Sequence, residues 1–290
     1  MKIDTRKFRA GSGKLRLKEH AARVKDYYRD DADAESQLRE QTQRLAELQE
    51  LMYADNRWAL LVIFQAMDAA GKDGTIKHVM SGINPAGCQV YSFKQPSSME
   101  LDHDFLWRTA QCLPERGRIG VFNRSYYEEV LVVRVHPEYL GAQNLPKGTA
   151  DPDSLWKRRY ESIREHEAHL RRNGTKVVKF FLHVSKEEQR QRFLARLDEP
   201  TKNWKFSLGD VKERAFWKDY QHAYQDCIAA TSTDESPWYV VPADDKKNAR
   251  LIVARVLVEA LESLDITAPK IAAAQRKELA AARAQLLKER

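Results

Sequence analysis

Apolar and polar positions along this chain alternate between two rhythms. Short runs of apolar or β-branched residues predict strands at 59–64, 89–93, 118–122, 177–183 and 238–241. Between and around them, apolar positions at helical spacing predict helices at 33–54, 72–81, 98–111, 155–173, 185–197 and 210–230, and again from Lys246. Leu38, Leu45, Leu48 and Leu51 carry the stripe of the first of these, and a helix after the 118–122 strand carries Glu128 and Arg134. Strands separated by helices predict a parallel sheet covered by helices on both faces. Pro85, Pro96, Pro114, Pro137, Pro146, Pro152 and Pro200 all fall in the proposed connections, where a missing N–H costs least. Residues 1–30 are basic and aperiodic, which predicts an extended arm over the surface. The segment from Pro269 to Arg290 is rich in Ala, Lys, Arg and Glu, and predicts a protruding or partner-packed helix. With no repeat and no low-complexity linker, one domain is expected: arm and helix over 1–54, a core over 55–265 with a lid at about 190–215, and a C-terminal helix over 266–290.

Charge narrows the partners. The net charge of +7 with a pI near 9.2 points to a polyanion: nucleic acid, an anionic membrane or a phosphate-rich substrate. Cys88, Cys112 and Cys227 are scattered without metal spacing and read as reduced thiols. The N-terminus lacks the apolar core of a signal peptide, and the longest apolar run, Trp58 to Phe64, is too short to span a bilayer, so a cytoplasmic protein is expected.

The chemistry concentrates at three places. Leu60 to Val79 reads as a buried strand, a loop of small residues, Gly71-Lys72 and an amphipathic helix, the layout of a P-loop. Its helix would offer free N–H groups to an anion, and Lys72 would neutralise it. The match departs from the standard pattern: Ala66 replaces the first Gly, Asp73 replaces a magnesium-binding Ser or Thr, and Asp68 adds a carboxylate. An ordinary strand-to-helix turn is the plain alternative. Asp73 also suits the first helical turn for electrostatic reasons alone. The second place is Phe122-Asn-Arg-Ser-Tyr126, at the carboxyl end of a strand, where open α/β sheets hold ligands. There Arg124 suits an oxyanion and Asn123 suits either the site or a helix cap. The third is the helix with Arg192 and Arg196 four residues apart, followed by Pro200, Lys202, Trp204 and Lys205, which reads as a basic lid or as a solvated helix face with an anchored loop.

Taken together, Ala66-Met-Asp-Ala-Ala-Gly-Lys-Asp-Gly74, Ser92-Phe-Lys-Gln-Pro96, His103-Asp-Phe-Leu-Trp-Arg108, Phe122-Asn-Arg-Ser-Tyr126 and Arg196-Leu-Asp through Lys202-Asn-Trp-Lys-Phe206 resemble the polyphosphate kinase 2 family over about residues 15 to 260. The resemblance implies a thymidylate-kinase-like P-loop kinase fold, a three-layer α/β sandwich on a parallel sheet of about five strands with a helical lid. It also implies magnesium, with manganese able to stand in, and phosphoryl transfer from inorganic polyphosphate to a nucleoside mono- or diphosphate. By that resemblance Asp68, Lys72, Asn123 and Arg124 are catalytic positions, with Asp68 the metal ligand. Ala70, Gly71, Lys72, Asp73, Gly74, Arg124 and Arg134, with the lid residues Arg192, Arg196, Lys202 and Lys205, are the phosphate-binding set. Phe93, Lys94 and Glu128 are assigned to the nucleotide, although Phe93 reads equally well as a buried strand end and Glu128 as a solvated helix face. Asn123 resembles the subgroup that phosphorylates both AMP and ADP, and GMP or GDP are further acceptors to consider. An ATP-dependent kinase on the same fold is one competing reading. A non-catalytic binder of nucleic acid or polyphosphate is the other, but no helix-turn-helix, zinc or RNP signature supports nucleic acid. No membrane partner is expected. The Leu-rich helix at 33–54 and the charged tail point to a homo-oligomer, a dimer or tetramer.

Overall fold

All eight residues of β1 (Ala59–Ala66) are buried, the signature of a strand covered on both faces. A computed structural model places it at the centre of a five-stranded sheet and describes residues 3–13, 15–149 and 151–289; the side chains of Pro152, Asp153, Lys202 and Lys205 fall outside that description. In chain order the elements are α1 (Asp31–Asp55), β1, α2 (Lys72–Val79), β2 (Cys88–Ser92), α3 (Ser98–Leu101), α4 (Trp107–Ala110), β3 (Ile119–Asn123), α5 (Glu128–Val135), α6 (Pro152–Arg172), β4 (Thr175–His183), α7 (Lys186–Asp198), α8 (Leu208–Glu213), α9 (Trp217–Thr231), β5 (Trp238–Pro242), α10 (Lys246–Glu262) and α11 (Ala273–Leu286).

The strand order is β2-β3-β1-β4-β5 and every ladder is parallel, with Leu60 level with Ile119 on one side and Lys176 on the other. The chain fills one side of β1 before crossing to the other. The order therefore reverses beside β1, and a ligand crevice is expected where the β1 and β3 carboxyl ends part. On one face α10 packs against α1 and α2; on the other α5, α6 and α9 pack together. This is the three-layer P-loop kinase arrangement. Among the described residues no helix is long and apolar enough to cross a membrane.

A charged side chain sits in the middle of this core. Lys179 of β4 is fully buried and ion-paired with Glu167 of α6, and its ammonium also donates to the Thr231 carbonyl at 2.8 Å. The Tyr126 and Tyr127 hydroxyls donate to Glu167 at 2.9 and 2.7 Å. The network ties the segment entering α5 to α6, β4 and α9, and satisfies a charge that would otherwise be costly to bury.

Four details differ from the sequence pattern. The helix expected over 98–111 is interrupted after Leu101, because Asp104 accepts from the Leu106 N–H at 2.9 Å and starts a new turn. The 210–230 helix is likewise divided into α8 and α9 by a 3-10 turn at Arg214–Phe216. The basic arm is not merely laid on the surface: Ile3, Phe8, Ala10, Leu15 and Leu17 are buried, and Ala10 N–H donates to the Trp238 carbonyl at 2.8 Å. Arg9 forms an antiparallel bridge with Tyr239, so the arm covers the β5 edge of the sheet. Finally, Leu45, Leu48 and Met52 of α1 are buried in the face that packs on α10, so the leucine stripe is not a free surface for self-association. By contrast α11 buries none of its side chains.

Candidate active site

After β1 the chain turns through Met67–Gly71 into α2 with left-handed backbone at Ala69 (φ 60°) and Gly71 (φ 100°). Glycine adopts that conformation freely, whereas alanine does so at a cost of roughly 1 kcal/mol and must be held there. The holding groups lie on α7. Gln189 Nε2 donates to the Asp68 carbonyl at 2.9 Å, and Arg192 Nη1 donates to those of Ala69 and Ala70 at 3.1 and 2.9 Å. In a trans peptide the N–H points opposite to its carbonyl. Turning these carbonyls toward α7 therefore turns the Ala69 and Gly71 N–H groups the other way, while Ala70 N–H closes the turn on Met67 O at 3.2 Å. The first helical bond runs from Thr75 N–H to Gly71 O at 2.9 Å. The N–H groups of Ala69, Gly71, Lys72, Asp73 and Gly74 have no acceptor among the described residues. With the positive end of α2 behind them they form a concavity built for an anion. Ala70, expected among the donors, is replaced in that role by Ala69, whose residue type gives no sign of a left-handed turn.

Lys72 is half-buried beside this concavity, and its ammonium donates to the Ala66 carbonyl at 3.0 Å. Burial pulls its pKa below the ordinary lysine value, and Arg124 adds to that while Asp68, Glu128 and Asp73 oppose it. Across from it, β3 ends at Asn123 and the chain passes through a left-handed Arg124 (φ 65°), whose N–H donates to Phe64 O at 3.1 Å. That bond docks the Arg124 turn onto β1. The Arg124 guanidinium reaches Asp68 at 3.2 Å and Glu128 at 3.4 Å. Glu128 chiefly holds the guanidinium pKa up, while burial pushes the Glu128 carboxyl up against the pull of Arg124 and Lys72. Glu128 is thus drawn into the site and is not the solvated helix face that was its alternative. Asn123 Nδ2 donates to Asp73 at 2.7 Å and lies 3.4 Å from Ser92 Oγ. An Asp at 123 would instead set two carboxylates against each other.

Asp68, Lys72, Asp73, Asn123, Arg124 and Glu128 therefore converge at the β1/β3 crevice. Other expected residues do not join them. Arg134, in the last turn of α5, donates to Tyr160 at 2.7 Å and Asp226 at 2.6 Å, which ties α5 to α6 and α9. Arg192 is buried and has an acceptor for each of its five N–H bonds: Glu188 at 2.8 Å, Ala69 and Ala70, and the carbonyls of Ala243 at 2.7 Å and Asp244 at 3.0 Å. It is a structural clamp, with no N–H left for a phosphate chain. Arg196 lies 3.6 Å from Asp210 and over the Phe193 ring. The side chains of Lys202 and Lys205 lie outside the description, and their backbone belongs to the 3-10 turn Pro200–Lys205 after α7. Phe93 sits at the end of β2, edge-on to Phe122 at 5.0 Å, with the Arg108 guanidinium 5.5 Å from its ring centre. Lys94 is exposed and offers its carbonyl to Arg108 at 2.8 Å. Beyond Arg108 opens a cleft of about 290 Å³ walled by Glu100, His103, Phe105, Glu129 and Arg158. Sequence reasoning missed Gln189 and the lining of this cleft. Only the helical spacing of Gln189, Arg192 and Arg196 hinted that one face of α7 looks at the loop.

Among the described residues no three His, Cys, Asp or Glu side chains are placed to cage a metal. Asp68, partly exposed at the mouth of the anion concavity, fits a magnesium ion of the kind held by one or two carboxylates and completed by substrate phosphates.

Comparison with known proteins agrees with this geometry. The sequence profile of polyphosphate kinase 2 matches residues 28–269. The chain is 60% identical over 289 residues to an ADP-polyphosphate phosphotransferase of Rhodopseudomonas palustris, covering 99% of this chain and 100% of that one. It is 48% identical over 234 residues to an AMP/ADP-polyphosphate phosphotransferase of Meiothermus ruber, covering 81% and 83%. The crystal structure of polyphosphate kinase 2 from Arthrobacter aurescens superposes with a TM-score of 0.84 at 42% identity, over 94% of this chain and 95% of that one. An anion concavity flanked by Lys72 and Arg124 in this fold, with matches that span nearly the whole chain, makes it a member of the polyphosphate kinase 2 family.

Proposed function

We propose that this chain transfers the terminal phosphoryl group of inorganic polyphosphate to ADP and AMP, with GDP and GMP as further acceptors, in a reversible reaction. The observation that carries the reading is the set of unpaired N–H groups of Ala69, Gly71, Lys72, Asp73 and Gly74 beside the Lys72 and Arg124 side chains, which suits a chain of phosphates. An acceptor phosphate oxygen attacks the terminal phosphorus and the bridging P–O bond to the shortened chain breaks. The attacking oxygen is already ionised at neutral pH, so no general base is required. The protein's task is to position two polyanions and neutralise their charge. Lys72 and the loop N–H groups hold the donor, and Arg124 spans donor and acceptor while releasing Asp68 and Glu128. Asp68 is the residue to hold Mg²⁺, or Mn²⁺ in its place, which when bound supplies charge neutralisation at the phosphates. The nucleoside end of the acceptor is assigned to the Phe93 and Arg108 side, with the adjoining cleft of about 290 Å³ for its base and sugar.

The test is incubation with Mg²⁺, polyphosphate and AMP, ADP, GMP or GDP in turn, with ATP as an alternative donor. Polyphosphate-dependent formation of di- or triphosphates is expected. A protein that makes none, or that uses ATP alone, refutes the proposal. A homo-oligomeric state and a cytoplasmic location belong to the same reading; three unpaired cysteines support the second.

A further inference from the structure

Arg192 looks like a lid cation in sequence, yet it bonds two stretches of backbone at once, the loop after β1 and the entry to α10, and pairs with the Glu188 carboxylate one turn back on its own helix. Gln189, one turn earlier and buried, adds the Asp68 carbonyl, and its own oxygen accepts from Arg214 at 2.6 Å. The carbonyls of Asp68, Ala69 and Ala70 are thus drawn outward together. Without those donors only the Ala70 N–H bond to Met67 O restrains the strained turn at Ala69, and a flip of the peptides carrying the Asp68 or Ala70 carbonyl would aim a carbonyl dipole at an incoming phosphate.

We infer that Arg192 and Gln189 are positioning residues for phosphoryl transfer: they hold the loop carbonyls away from the anion so that the N–H groups of Ala69 and Gly71 face it. The inference rests on the loop being the site that receives the phosphate chain. It also makes α7 a two-part element. Its first half belongs to the phosphate site as scaffold, and basic lid function begins only at Arg196, beyond the clamp.

The test uses the full chain as wild type, Arg192→Lys and Gln189→Glu. Lysine keeps the charge but loses the fork that serves four carbonyls. Glutamate keeps the acceptor for Arg214 and replaces the donor to Asp68 by an oxygen. Two readouts are taken: kcat/KM for polyphosphate and for nucleotide, and calorimetric affinity for inorganic triphosphate. For Arg192→Lys, kcat/KM for polyphosphate falls about 100-fold, the scale of a misplaced catalytic geometry, and triphosphate binds more weakly. For Gln189→Glu the same quantities fall about tenfold, and in both variants KM for the nucleotide stays near wild type. Folded variants with wild-type polyphosphate kinetics and triphosphate affinity overturn the inference. So does a loss confined to Arg192→Lys, which would make that residue a direct phosphate ligand, or an equal rise in KM for both substrates with unchanged triphosphate affinity, which would make the role merely structural. If the wild type transfers nothing from polyphosphate, the proposed function fails on its own. The triphosphate affinities then still decide whether Arg192 and Gln189 shape the loop.

Discussion

Replacing Arg124 by glycine separates what this residue does for the fold from what it does for the reaction. Arg124 has a left-handed backbone with φ of 65°, so glycine relieves a strain of roughly 1 kcal/mol. Against that stand the lost pairs with Asp68 and Glu128, at 3.2 and 3.4 Å. The Arg124 side chain is 41% exposed and that of Asp68 32%, so the two pairs, which share one screened guanidinium, are together worth about 1 kcal/mol. Glycine also costs about 0.5–1 kcal/mol through the freedom it gives the unfolded chain. The sum is a net loss of about 1 kcal/mol, a fall in melting temperature of about 3 °C. Activity responds on another scale. A guanidinium that meets developing charge is worth about 10³-fold in kcat, and with it gone the Glu128 carboxyl is left half-neutralised beside the donor. Arg124→Lys keeps the charge and the backbone strain but loses the bidentate fork, and is expected to lie about tenfold to 100-fold below wild type. The assay is ATP formation from polyphosphate and ADP with excess Mg²⁺, alongside thermal unfolding. If Arg124→Gly keeps more than about a tenth of wild-type kcat, the assigned role is wrong. If it melts more than about 10 °C early, the turn depends on the side chain and the stability reasoning is wrong.

Three further outcomes follow from the same geometry. Asp68→Asn keeps a hydrogen-bond acceptor for Arg124 but loses the carboxylate; turnover should fall about 100-fold with a raised Mg²⁺ requirement, and near-normal turnover under saturating Mg²⁺ would contradict the metal assignment. Lys179→Met strands the buried Glu167 carboxylate and should cost about 3–5 kcal/mol in urea unfolding, while adding Glu167→Gln removes the stranded charge and should return part of that loss; strict additivity would deny the pairing. Burial holds the His183 imidazole below its ordinary value of 6.5, with Asp244 opposing and His20 reinforcing. The unfolded chain therefore binds the proton more readily, and His183 makes stability fall as pH drops below 6.5 toward the lowered value, by at most about 1.4 kcal/mol per pH unit. The difference in unfolding free energy between wild type and His183→Asn, measured from pH 7.5 to 5, should show this slope; parallel curves would refute it.

The five strands were legible because a buried parallel strand is a short apolar run wherever it falls, and β1 is apolar to its last two residues. Helix interruptions were not, since the break after Leu101 rests on one Asp104 side chain that periodicity does not register. In the site, Asp68 and Lys72 stood out because they fall in a strand–loop–helix layout of the P-loop kind, and Asn123 and Arg124 because they follow the carboxyl end of a strand, where open α/β sheets hold ligands. The identity of the loop's donors was hidden, because N–H groups belong to every residue and only the backbone angles of Ala69 and Gly71 select which ones face the anion. Arg192 and Arg134 show the opposite failure. An arginine in sequence advertises five N–H bonds but not what takes them, and here carbonyls and neighbouring side chains do.

The arm that covers β5 has a consequence for how the chain is made. Its residues leave the ribosome well before Trp238 and Tyr239, to which Ala10 and Arg9 attach. Until then one border of the sheet stays open to strands of other nascent chains. Removing residues 3–13 would leave that border open permanently, so a shortened chain should collect in inclusion bodies even though its phosphate loop is intact.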